Sequence, residues 1–135
     1  MSLAKVWLWP EPRKQQITDW VLRVGAALFF VAVGLDKFGA GSEWPGIFAR
    51  IGWGDWFRYT TGVVETAGGL LMLVPRTTRV GAVLLACTML GAIAAHVLKL
   101  GDPSVSIIPA ALLIVIVALG WKLSEAPDEY GGLKL

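Results

Sequence analysis

The sequence predicts an all-α protein: a four-transmembrane-helix bundle with an interfacial, tryptophan-rich segment between helices 1 and 2. Three observations carry that expectation. Hydrophobic residues make up 56% of the 135 and charged residues only 16%, with a mean hydropathy of +0.64, far from the balance of a water-soluble domain. Four apolar stretches alternate with segments rich in glycine, proline and charge. All seven tryptophans fall in flanks or at span ends, where indoles settle at a membrane–water boundary. The length suits a single membrane domain, residues 1–135.

The same composition narrows the function. A formal charge of +2 with no basic run and no aromatic–basic module argues against a nucleic-acid partner. One cysteine, Cys87, permits no intrachain disulfide and no CxxC thiol relay. No haem, flavin or metal motif is present, and one histidine cannot supply a bis-histidine haem site. Val6–Trp9 is too short an apolar run for a cleavable signal, so the first span is expected to direct insertion.

Taken in order, residues 1–17 read as an interfacial arm, with Trp7 and Trp9 at headgroup level and Arg13 and Lys14 toward water. Helix 1 is expected over about 17–38, with Thr18 or Asp19 as its N-cap. Arg23, Ala27, Phe30, Gly34 and Lys37 share one stripe of it, at offsets of 4, 7, 11 and 14, while Asp36 points elsewhere. Residues 39–57 hold five glycines and read as a loop. Pro45 opens a short helix there and Gly52 closes it; Trp44, Trp53 and Trp56 form a belt in contact with lipid. Helix 2, about 59–74, carries Glu65 near its middle. Thr61, Gly62, Gly68, Gly69 and Met72 stand three, four or seven residues from Glu65 and share its face. Helix 3, about 80–98, is rich in glycine and alanine, which lets membrane helices approach closely; His96 lies near its end. Cys87 is expected on the opposite side from His96, as a small packing residue. Helix 4, about 104–121, contains Pro109 and is expected to face lipid or a partner; a polar tail follows.

Seven basic residues lie on the side of the termini and the 2–3 turn, and four on the other. The positive-inside rule then puts both termini in the cytoplasm, with the bacterial inner membrane the expected location. An ionisable residue within a membrane helix is expensive and calls for a partner. Helix rise puts Arg23 roughly 8 Å, Glu65 15 Å, His96 25 Å and Lys37 28 Å from the cytoplasmic edge. Side chains lean toward their helix N-terminus, so Lys37 and His96 lean toward Glu65, and Arg23 leans toward the lipid phosphates. Glu65, Lys37 and His96 are therefore the candidate ligand-binding residues. Arg23, Asp36, Trp44, Trp53 and Trp56 are assigned to structure or lipid contact. Whether the small residues around Glu65 leave a pocket, or close the helices up, stays open at this level.

Arg23 with the small, apolar run to Gly34-Leu-Asp-Lys37, then Gly62-x-x-Glu65-x-x-Gly68-Gly69-Leu-Leu, then Arg79-x-Gly81-Ala82-x-Leu-Leu-Ala occur in this order over about residues 18–121. In this the chain resembles the DoxX family of small four-helix membrane proteins. The resemblance implies a membrane subunit akin to the small subunit of thiosulfate:quinone oxidoreductase, or an accessory component of a redox or assembly system. On that footing the chain is expected to partner a membrane or peripheral redox enzyme and to offer a quinone pocket near Glu65, with no intrinsic cofactor. The alternatives are a non-catalytic scaffold or assembly subunit and a small transporter; no inverted repeat supports the last.

Overall fold

The computed structural model describes the backbone of residues 11–74 and 76–125, and the side chains of 17–74 and 76–120. The expected arm around Trp7 and Trp9 and the tail beyond Glu125 lie outside the described residues. Among the described residues every regular element is helical.

α1 runs Glu11–Asp36, starting six residues before the expected 17. Pro12 suits a first helical turn, and Arg13 to Gln16 are good helix formers, so nothing stops the helix short of Pro10. It ends in two tight turns, Phe38 N–H to Leu35 O and Gly39 N–H to Asp36 O, both 3.0 Å. α2 is Trp44–Ile51, with Pro45 in its first turn. Gly52 closes it at φ +85°, donating its N–H to Phe48 O, the left-handed cap that glycine adopts without steric cost. α3 is Asp55–Leu73, one turn longer at its start than expected, with Asp55 in its first turn where the helix dipole favours an acid. Thr60, Thr61 and Thr66 each fold a hydroxyl back onto a carbonyl four residues earlier at 2.8 Å, which satisfies them without water.

α4 covers Thr78–Ala95. It does not continue as an α-helix to residue 98: His96–Leu100 is wound as a π-turn, closed by Gly101 at φ +69°. A short 3-10 turn, Pro103–Ser106, leads into α5, Ile107–Glu125. Pro109 sits in the first turn of α5, where its missing N–H costs nothing.

Glycines fix how these helices meet. A methyl on Gly34 would lie 2.8 Å from Gly62 O, and one on Gly81 would lie 2.6 Å from Gly68 O and 2.9 Å from Met72 N. α1 and α3 therefore touch backbone to backbone at Gly34–Gly62, and α3 and α4 cross at Gly68–Gly81. α5 packs on α4, Gly120 lying against Ala82. The order around the bundle is α1, α3, α4, α5, and α1 barely meets α5. Ala27, Phe30, Met72, Leu85, Met89 and Ile116 fill the centre.

Three segments are long and apolar enough to cross a membrane: Ile17–Asp36, Thr78–Leu100 and Pro103–Gly120. The fourth expected span, α3, does not reach that standard. Asp55, Arg58 and Glu65 lower its hydropathy, and Arg58 and Glu65 are buried within the bundle.

Candidate functional site

The stripe Arg23, Ala27, Phe30, Gly34 and Lys37 is buried along its length. It faces the buried stripe of α3, Arg58, Gly62, Glu65, Gly68, Gly69 and Met72. The two helices run antiparallel, so one end of α1 meets the last turn of α3 and the other meets its first half.

At the first of these ends Arg23 is 3% exposed. Its Nε donates to Met72 O at 2.5 Å and its Nη2 to Thr78 Oγ1, and the guanidinium lies 4.7 Å from the Trp20 ring centre. The expected reach toward lipid phosphate is thus replaced by capping of the α3 C-terminus. Carbonyls left open at a helix end need donors, and a cation there is favoured by the helix dipole.

At the other end Lys37 Nζ donates to Glu65 Oε2 at 2.5 Å, with both side chains under 5% exposed. The ammonium also stands 3.7 Å from the centre of the Trp44 ring. Trp44 in turn donates its indole N–H to Asp36 Oδ2 at 2.8 Å. Trp44, half-buried, is therefore a cover over Lys37, whose ammonium gains a cation–π contact from the indole face. Trp53 and Trp56 are exposed and pack edgewise on Phe57.

Arg58 completes this end. It donates from Nη1 to Lys37 O at 2.5 Å, pairs with Asp55 at 3.1 Å and donates to the Tyr59 hydroxyl at 3.0 Å. Sequence reasoning assigned Arg58 to the water-side count. Its spacing of seven from Glu65, the same helical face, was the signal that places it inside.

On the α2 side of the Gly68–Gly81 crossing, residues of both α3 and α4 line a common space. A mostly apolar cavity of about 670 Å³ fills the space, with Lys37, Glu65 and His96 on its wall and Trp44 and Phe48 of α2 at one end. The crossing sets the register, so His96 lies more than three turns from the level of Glu65, roughly 18 Å along α4. The structure brings Glu65 and Lys37 into direct contact and puts His96 farther along the same cavity. His96 Nδ1 is buried with no hydrogen-bond partner among the described residues. Cys87 also lines the cavity and is exposed, contrary to its expected role as a packing residue opposite His96. Residues from more than one face of α4 line the cavity.

Residues 21–119 match the model of the DoxX-like family. The chain belongs to that family. No curated protein and no solved structure gives a significant match. The DoxX-like stretch takes in the whole of the α1–α3 ion pair, the Gly34–Gly62 contact, the Gly68–Gly81 crossing and His96.

Proposed function

We propose that this DoxX-like protein is a membrane subunit that partners a redox enzyme and holds a quinone headgroup in the cavity beside Lys37 and Glu65. One observation carries the reading: an apolar cavity within a bilayer-embedded bundle, with an ion pair on its wall and a His96 Nδ1 that has no partner among the described residues. Its volume, about 670 Å³, suits a small-molecule site, typically ~300–1,000 Å³. The donor set suits a quinone, whose carbonyl oxygens need N–H donors and whose ring needs apolar and aromatic walls. When bound, a quinone supplies the capacity to take up an electron pair and protons. Lys37 presents its ammonium to a carbonyl oxygen, and Glu65 holds that ammonium in place. His96 and Glu65 are the groups able to exchange protons, and Trp44 and Phe48 keep bulk water away. The bacterial cytoplasmic membrane, with both termini inside, is the setting proposed.

Purification in native lipids, with extracted quinones identified by mass spectrometry, tests the reading. About one quinone per chain, lost on Lys37→Met, is expected; a wild-type sample without quinone refutes it. A second reading has its own support. The backbone contacts at Gly34–Gly62 and Gly68–Gly81 fix helix register, and the Lys37–Glu65 pair locks it, as a scaffold subunit requires. Stable association with a redox enzyme whose quinone turnover is unaffected by Lys37→Met favours that reading.

A further inference from the structure

Exposed residues line the cavity along the flanks of the bundle. Cys87 and Gly91 line it, are exposed and lie well inside the Thr78–Leu100 stretch that is long and apolar enough to cross a membrane. On α3 the facing rim residue is Thr60, also exposed and lining the cavity. The seam between α3 and α4 is thus bordered by a glycine, a cysteine and a threonine, at a depth occupied by acyl chains. A side chain added at Gly91 would meet nothing within 4 Å, whereas one at Gly68 or Gly81 would collide with the facing helix. The helices meet backbone to backbone at the crossing, and on the α2 side of it Val64 and Leu84 line the cavity beside Thr60, Cys87 and Gly91. A second seam, between α1 and α5, which barely meet, is bordered by larger groups that also line the cavity: Phe29, exposed and edge-on to Phe30, and on α5 the exposed Ile108 and the half-buried Leu112.

We infer that the α3–α4 wedge is a lateral door, through which the ligand passes from the bilayer, and that the ligand is a tailed amphiphile. Its polar head reaches the Lys37–Glu65 pair while its apolar chain lies in the wedge past Thr60, Cys87 and Gly91 and continues into lipid. This deepens, and rests on, the reading of the cavity as a quinone site. It excludes water-soluble, tailless molecules as the natural ligand class, because α2, with Trp44 and Phe48, covers the end of the cavity nearest the headgroup boundary.

Cys87 is the chain's sole cysteine, so its alkylation reads the wedge directly. The full chain is reconstituted in phospholipid bilayers and exposed to a maleimide on an acyl chain, dissolved in the lipid, or to a charged, membrane-impermeant maleimide in the water. The lipid-borne reagent is expected to react at least about tenfold faster. Preloading with decyl-benzoquinone whose other ring positions are methylated should slow that reaction about tenfold, and tailless tetramethyl-benzoquinone at equal concentration should not, since neither has a free ring carbon for the Cys87 thiol to add to. Gly91→Phe, placed in open space and so compatible with folding, should slow binding of the decyl compound about tenfold. Lys37→Met with Glu65→Gln should keep lipid-borne labelling at the wild-type rate while losing the protection. Faster labelling from water, or unchanged decyl-benzoquinone binding in Gly91→Phe, overturns the lateral door. Lipid-borne labelling that no quinone slows retains the door and refutes the quinone reading instead. Equal protection by the tailless compound overturns the assignment to a tailed ligand.

Discussion

Lys37 is buried, its ammonium held between the Glu65 carboxylate and the Trp44 ring. Removing Glu65 therefore leaves a buried charge uncompensated. Glu65→Ala is expected to cost about 3–5 kcal/mol, and combining it with Lys37→Met should recover most of that loss. Chemical denaturation in lipid–detergent mixtures measures both; equal losses in single and double variants would mean that the two residues do not interact. Arg23→Met removes two charge-assisted bonds to the end of α3 and should cost about 1.5–3 kcal/mol for each. The pairing of Lys37 with Glu65 was readable from spacing and from the lean of helical side chains. The role of Arg58 was not, because counting cations for topology assigns every basic residue near a helix end to water. The seat of Trp44 was hidden for a similar reason: composition places tryptophan at the membrane boundary, and only the turn at residues 37–43 brings it back over Lys37.

Among the elements, α2 was the most legible, since Pro45 and Gly52 mark its ends by fixed backbone preferences. The π-turn at His96–Leu100 could not be read, because no residue in it distinguishes a five-residue hydrogen-bond step from a four-residue one. The glycines of α3 and α4 were read as a close-packing surface, yet only some of them pack. Gly81→Ala puts a methyl against Gly68 O and Met72 N and is expected to destabilise by roughly 1–3 kcal/mol. Gly91→Ala meets open space and should leave stability unchanged or raise it by up to about 1 kcal/mol through helix propensity. Thermal unfolding of the two variants side by side makes the comparison; equal shifts would contradict the wedge between α3 and α4.

For the whole molecule, hydropathy located the helical segments but overstated α3 as an apolar span, since the pattern counts charge without knowing which way it faces. Burial of Glu65 and Arg58 inside the bundle is a tertiary fact. The orientation proposed from the basic-residue count has a direct test in a Cys87→Ser background. Ser42→Cys, beside α2, is expected to react with impermeant maleimide applied outside intact cells. Arg76→Cys, at the opposite end of α3, should react only after permeabilisation. Labelling of both from one side would end this topology.

The Gly68–Gly81 contact also has a mechanical meaning. Two rods pinned at one point and free beyond it behave as scissors, with the pin as fulcrum. From Gly81 to Gly91 the lever is roughly 15 Å long, so rocking by about 10° moves the blade tips apart by roughly 2–3 Å, more than the radius of a methyl group. Membrane thickness acts on helix tilt at modest energetic cost, and tilt here sets the angle of the blades. Thicker bilayers should draw α3 and α4 upright and narrow the gap. Cys87 alkylation is then expected to slow steadily as the host lipid's acyl chains lengthen, so that the bilayer itself becomes the hand on the scissors.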